Sequence, residues 1–181
     1  MNRAFLALGS NIDPERNLPA AVRELARFGR IVRVSNVWES PPADDLDQPD
    51  FLNAAVLLET PLSADALWHR VIPEVEQALG RVRDPANKNA SRTIDVDLSL
   101  FNRETLVIDD RRLPNPDLLS RAFVAVPLAE LDAAYVHPQT GRTLAEIAAS
   151  LSGAAGMRLR SDVVLATGAM APTSAPPSSV C

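Results

Sequence analysis

The stretch Ala4-Phe5-Leu6-Ala7-Leu8-Gly9-Ser10-Asn11 opens the chain as an apolar run that stops at a turn signal, and so reads as a buried strand. Asp13-Pro14-Glu15 follows as an N-cap with proline at the start of a helix. Leu18, Ala21, Val22, Leu25 and Phe28 recur at helical spacing until Gly29. Ile31, Val32, Val34 and Val37 predict a second strand running to Trp38, and Phe51 to Glu59 a third. Ser63-Ala64-Asp65 caps a second helix with Leu67, Val71, Val75, Ala78 and Leu79 on one face, and Gly80 lies near its end. Thr93 to Phe101 is the fourth strand, with a hairpin expected back to Thr105–Ile108. Short helices are expected after Leu113-Pro114-Asn115-Pro116 and over Val124–Leu131 and Leu144–Leu151, with a last short strand between Met157 and Leu165. The order strand, helix, strand, strand, helix, strand predicts an α+β ferredoxin-like sandwich, a mainly antiparallel sheet with helices on one face.

The chain has 181 residues, which fits one domain, assigned here to residues 1–165. Residues 166–181 are rich in Ala, Ser and Pro and are expected to be a disordered tail. Aromatic content is 4% and net charge is −5, so a nucleic-acid binder or an anionic-membrane binder is disfavoured. Cys181 is the single cysteine, so an intrachain disulfide is excluded. His69 and His137 are too few for a multi-histidine metal site and are expected to be structural or surface residues. The apolar start is too short for a signal-peptide core and no run is long enough to cross a bilayer, so a cytoplasmic location is expected.

Chemistry concentrates in Arg92-Thr93-Ile94-Asp95-Val96-Asp97-Leu98. Strand alternation puts Ile94, Val96 and Leu98 on one face and Asp95 and Asp97 on the other, the carboxylates roughly 7 Å apart along the strand. A divalent cation relieves the repulsion of such a pair, and Mg²⁺ on phosphates commonly uses one or two carboxylates. Arg81, Arg83 and Arg92 flank the pair in sequence, as nucleotide phosphates require. The competing reading is an internal salt-bridge patch between those arginines and Asp84, Asp95 and Asp97. No Gly-x-x-x-x-Gly-Lys-Ser/Thr loop exists, and Gly9-Ser10-Asn11 reads as a tight strand-to-helix turn rather than a phosphate cradle.

Five blocks in this order resemble the 6-hydroxymethyl-7,8-dihydropterin pyrophosphokinase family of folate biosynthesis. They are Ala7–Asn11, Asp47–Ala55, Glu76 with Leu79–Arg83, Arg92–Asp97, and Arg121–Val124 with Pro127-Leu128. The resemblance implies the ferredoxin-like fold and transfer of the β,γ-pyrophosphoryl unit of ATP to the pterin hydroxymethyl oxygen, with release of AMP. It implies that Asp95 and Asp97 hold two Mg²⁺ ions. It implies catalytic roles for Arg81, Arg83 and Arg92, and ATP contacts for Glu76, Arg83, Arg92 and Arg121. It implies that Phe51 and Phe123 sandwich the pterin, that Asn53 bonds its ring edge, and that Ser40 and Pro41 line its pocket. The partners implied are ATP and the pterin alcohol; separately, a monomer is expected.

Departures from the family pattern are Ala90-Ser91 in place of Gly-Pro, no Trp between Arg83 and Arg92, Asn115 in place of a histidine, and Pro73 in place of a glutamine. The alternatives kept open are a paralogue acting on a related pterin alcohol and a non-catalytic nucleotide- or pterin-binding module. The polar loop Asp84–Ser91 is expected to close over bound Mg-ATP.

Overall fold

A computed structural model describes residues 1–43, 47–82 and 90–167. Arg83, most of the loop expected to close, and nearly all of the expected tail lie outside these residues. Among the described residues no helix is long and apolar enough to cross a membrane.

The strands are β1 (Asn2–Ser10), β2 (Arg30–Val34), β3 (Trp38–Ser40), β4 (Phe51–Thr60) and β5 (Asp95–Phe101), followed by β6 (Leu106–Ile108), β7 (Arg111–Leu113) and β8 (Arg158–Leu159). The helices are α1 (Pro14–Leu25), α2 (Ala64–Ala66), α3 (Ile72–Ala78), α4 (Ala122–Leu131) and α5 (Leu144–Ser150). The main sheet runs β5-β1-β4-β3-β8, with β2 also pairing β4, and its pairs are antiparallel. With β2 and β3 counted as one interrupted strand, this is the ferredoxin-like order expected from the sequence.

Alternation along the strands divides the core. Leu6, Leu8, Ala54, Val56, Val96 and Leu98 face a core closed by Leu18, Val22 and Leu25 of α1 and Val75 of α3. Phe5, Ala55, Leu57 and Leu100 face a second core closed by Ala125 and Leu128 of α4 and Ile147 of α5. The expectation of helices on one face is therefore corrected: the sheet is covered on both. The apolar run of β4 is the physical reason, because a strand buried on both sides does not alternate.

The second strand is also not continuous. Ser35 breaks it, donating its N–H to Ala55 O (2.9 Å) while its hydroxyl accepts the Ala55 N–H (2.8 Å). A side chain thus replaces a ladder carbonyl. The hairpin expected from β5 is corrected too. β6 pairs β7, and the chain turns at Asn102, whose φ of 50° is left-handed.

Ser63 caps α2 as expected, accepting the Ala66 N–H at 3.1 Å. Asp13 stands at the N-cap of α1 but makes no side-chain cap bond. Between α2 and α3 lies one π-helical turn, Leu67–Val71, which ends two residues before Pro73. Proline lacks the N–H and crowds the carbonyl four residues back, so the wider turn lets the helix continue.

Gly29 sits where α1 returns to the sheet. A Cβ there would lie 2.2 Å from the Glu59 carbonyl oxygen. Gly29→Ala is therefore expected to lower stability by about 2 kcal/mol, read as a reduced denaturation midpoint with an unchanged slope.

Candidate functional site

On the face of the second core, bulk falls along the central strand β1 toward one end. β1 runs Phe5, Ala7, Gly9, and β4 runs in the opposite direction from Leu57 through Ala55 to Asn53 and Phe51. Gly9 is paired with Asn53 on one side and Asp95 on the other, and Ala7 with Asp97. Small residues in the central strand leave a floor from which polar neighbours rise. Residues at the start of α4, Phe123 and Val124, form one wall. The result is a cavity of about 210 Å³.

This cavity gathers most of the residues singled out in the sequence. Ser40, Pro41, Phe51, Asn53, Arg92, Asp95, Asp97, Arg121 and Phe123 all line it. Asn53 is buried and donates from Nδ2 to Ser40 Oγ at 2.9 Å and to Trp38 O at 3.3 Å. The Arg92 guanidinium lies 5.7 Å from the Phe51 ring centre, and that of Arg121 5.7 Å from the Phe123 ring centre. Arg121 Nε also lies 3.4 Å from Asp117 Oδ1.

Glu76 and Arg81 do not line the cavity. The cause is the end of α3. Gly80 adopts φ +69°, so Gly80 N–H donates to Gln77 O and Arg81 N–H to Glu76 O, both at 3.0 Å. This glycine-terminated turn folds Arg81 back onto the helix end. Its Nη1 then donates to Glu76 Oε1, to Asp95 Oδ1 and to Ile94 O. Glu76 Oε1 also accepts the Val96 N–H at 3.2 Å. Arg81 thus underpins Asp95 from below, as in the salt-bridge reading of the sequence.

The two carboxylates differ in consequence. Asp95 is gripped by Arg81 and by Arg92, whose Nη1 lies 2.7 Å from Asp95 Oδ2. Burial pushes the Asp95 carboxyl up, but the two guanidiniums outweigh it and hold it below the usual range. The Asp97 side chain makes no hydrogen bond or ion pair among the described residues. Burial, then the charge of Asp95, pushes it up to about 7. A carboxylate held beside another with no guanidinium bonded to it is a donor set that a hard divalent cation can complete. Among the described residues no third His, Cys, Asp or Glu joins them. Mg²⁺ tolerates that, since it keeps waters and takes substrate phosphate oxygens.

A second cavity of about 380 Å³ shares Asp97, Asn115 and Asp117 with the first. Trp68, on the π turn, lines it beneath Arg111, whose guanidinium lies 5.3 Å from the ring centre. Asn115, which replaces the expected histidine, caps the 3-10 turn Pro116–Leu119 by accepting the Asp117 N–H at 3.0 Å. His69 is exposed between Asp65 and Asp109, and His137 is buried in the protein, and neither lines these two cavities.

The sequence reading missed Asn11. Its Nδ2 donates to Gln48 Oε1, Pro49 O and Ser91 Oγ at 3.1–3.3 Å, and its Oδ1 accepts the Arg92 N–H at 2.7 Å. It joins three chain segments and fixes the backbone beneath the Arg92 side chain. A buried amide directly after a strand was the available signal. Asn11→Ala leaves those groups unpaired and is expected to cost about 1–3 kcal/mol in chemical denaturation.

The raised Asp97 carboxyl predicts a stability profile. In the cation-free protein the folded state binds a proton that the unfolded state has released between about pH 4 and 7. Stability is therefore lost as pH rises through that window. Asp97→Asn removes the penalty, so its melting temperature is expected to exceed wild type by about 4 °C or more at pH 8. The gain shrinks toward pH 5 in scanning calorimetry with a chelator.

Residues 5–133 match the family 7,8-dihydro-6-hydroxymethylpterin-pyrophosphokinase (HPPK). A relative in Methylorubrum extorquens, named 2-amino-4-hydroxy-6-hydroxymethyldihydropteridine pyrophosphokinase, is 43% identical over 136 residues, 72% of this chain and 83% of the relative. Relatives of the same name in Bacillus subtilis and Pseudomonas aeruginosa are 38% identical over 133 residues and 36% over 154 residues. They cover 72% and 83% of this chain, and 78% and 92% of their own. The fold is similar to the crystal structure of wild-type Plasmodium falciparum HPPK-DHPS with pteroate, with a TM-score of 0.66 at 14% identity. That match covers 82% of this chain and 44% of the other, so the chain spans under half the length of that solved structure. The chain belongs to the 7,8-dihydro-6-hydroxymethylpterin-pyrophosphokinase family.

Proposed function

We propose that this chain transfers the β,γ-pyrophosphoryl unit of ATP to the hydroxymethyl oxygen of 6-hydroxymethyl-7,8-dihydropterin and releases AMP, a step of folate biosynthesis. The observation that carries the reading is the single cavity in which two kinds of wall meet. Asp95, Asp97 and Arg92 form a charged wall, and Phe51, Asn53 and Phe123 an aromatic and amide wall. The relatives' shared name supports the substrate and the reaction together. None of those relatives points to another pterin alcohol or to a non-catalytic binder.

The roles follow from chemistry. A pterin is flat, with donors and acceptors along one edge. Phe51 and Phe123 offer flat apolar faces, and Asn53 and Ser40 offer the matching polar groups. The second cavity, contiguous through Asp97, Asn115 and Asp117, takes the nucleoside end, with Trp68 as an apolar wall. The β-phosphorus then lies over the aspartates, in line with the hydroxymethyl oxygen. A new bond forms from that oxygen to the β-phosphorus as the bond to the AMP oxygen breaks. Arg92 and Arg121 neutralise charge on the phosphate oxygens, and Arg83, which lies outside the described residues, would join them. Mg²⁺, held by Asp95 and Asp97, would neutralise phosphate charge and acidify the attacking hydroxyl. Arg81 and Glu76 act by holding Asp95 in place. The same reading takes residues 1–165 as one domain, working as a cytoplasmic monomer without nucleic acid or membrane.

AMP formation followed by chromatography, with Mg-ATP and the pterin alcohol, tests this reading. Wild type is expected to release AMP only when the pterin is present. Asp95→Ala/Asp97→Ala is expected to lose at least roughly 10²–10³-fold in kcat. Pterin-independent AMP, or full activity in the double variant, sinks the assignment.

A further inference from the structure

The segment after α5 returns to the sheet, beyond the residues that match the family. β8 pairs β3, placing Leu159 opposite Trp38 and Arg158 opposite Glu39, and Arg160 N–H donates to Val37 O at 2.9 Å. Val163 and Leu165 then bury themselves in the first core. Arg160 is the charged hub of this clasp. Its Nη1 lies 2.8 Å from Glu39 Oε2, its Nη2 3.0 Å from Glu15 Oε1 at the start of α1, and its Nη2 2.7 Å from Asp162 Oδ2. Arg158 reaches Glu39 from the other side, Nε to Oε1 at 3.0 Å. The Glu39 side chain is only 16% exposed.

Glu39 is directly followed by Ser40, whose hydroxyl accepts from Asn53 inside the cavity. β3 spans only Trp38–Ser40, so few ladder bonds hold it. A displacement of Glu39 is passed along the backbone to Ser40 and Pro41, and both line the ring end of the cavity. The opposite end, at Asp97, Arg111 and Asn115, belongs to β5, β7 and the 3-10 turn, and among the described residues Arg160 pairs with none of them.

We infer that Arg160 is a positioning residue for the pterin end of the site: by gripping Glu39 against α1, it sets the Ser40–Pro41 wall that receives the flat ring. The inference rests on the proposed reaction. It assigns to a C-terminal arginine an effect on one substrate and not on the other. An ion-pair network at the surface contributes little to global stability compared with a buried core. Its consequence is local, in a strand too short to hold its own place.

Steady-state kinetics of AMP release on Arg160→Ala and Arg160→Lys tests this, well below the melting temperature of each. Arg160→Ala is expected to raise KM for the pterin alcohol roughly five-fold, with KM for ATP and kcat within about two-fold of wild type. Arg160→Lys keeps the charge but cannot span the same carboxylates, and is expected to fall between. Calorimetric titration of the pterin alcohol is expected to show the same ratio in Kd. An unmoved pterin KM with a lowered melting temperature would make Arg160 a structural clamp and overturn the inference. An equal rise in both KM values would overturn it as well. Should Arg160→Ala not fold, Arg160→Lys carries the same comparison. Wild type that turns over while the variants keep their pterin KM removes this inference alone. Wild type that neither releases AMP nor binds the pterin removes the proposed reaction, and this inference with it.

Discussion

One buried ion-pair chain organises the site: Glu76 to Arg81 to Asp95. Burying a charge is costly unless it is paired and hydrogen-bonded, and here each member is. The Arg81 side chain is 9% exposed and that of Glu76 4%. Glu76 belongs to α3, Arg81 to the turn after it, and Asp95 to the start of β5. The chain therefore locks a helix end to the sheet edge that carries the aspartates. The Ile94 carbonyl and the Val96 N–H are drawn into the same lock, so the backbone on both sides of Asp95 is fixed. Removing Arg81 would take a guanidinium from two buried carboxylates at once and leave Asp95 to Arg92 alone, a larger penalty than the net worth of the pairs.

That lock also explains why Asp95 and Asp97 are unlike. Strand alternation gives both the same face. Only Asp95 is hydrogen-bonded by Arg81 and Arg92; Asp97 feels Arg111 and Arg81 through space alone, and that is outweighed by burial and by Asp95. Asp97 is left beside a neighbour of like charge, and its carboxyl rises to about 7. A site that leaves one acid with its carboxyl raised is less stable than it could be, the usual cost of a constellation arranged for binding.

Much of the fold could be read from the order of the elements, because hydrophobic period and turn signals are local. What local reading could not give is which faces are covered. β4 is apolar on both sides, and its unbroken run was the available sign of two-sided burial. The break in the second strand depends on Ser35 taking over a ladder bond from Ala55, which no propensity encodes. In the site, the paired aspartates were legible because period two places them together whatever the fold does around them. Phe51, Asn53, Phe123 and Ser40 were named through family resemblance, and the structure brings them to one cavity. Arg81 shows the limit. The same arginine fits a phosphate clamp or a salt-bridge lock, and although Gly80 signals a helix end, the docking of that end against Asp95 that decides between them is a tertiary fact. Asn11 is similar, since its partners Gln48, Ser91 and Arg92 come from distant stretches.

Ser91 and Asn115, two of the departures from the family pattern, are not idle. Ser91 accepts from Asn11 and donates to Gln48 Oε1 at 3.2 Å, so a hydroxyl tethers the segment where the family usually has proline. Asn115 spends its oxygen on the Asp117 N–H, which shapes the junction between the two cavities. Neither carries a positive charge. On the proposed reading, the phosphates then meet Arg92 already shared with Asp95, and Arg121 beside Asp117. Without a cation the cavity floor holds two acids against that partial compensation. A polyanion alone would be repelled there, whereas one arriving with its own divalent cations would find Asp97 as an open ligand. On that reading the electrostatics of the cavity favour a metal–nucleotide complex over free nucleotide, in a protein that is acidic as a whole, with 18 basic residues against 23 acidic ones.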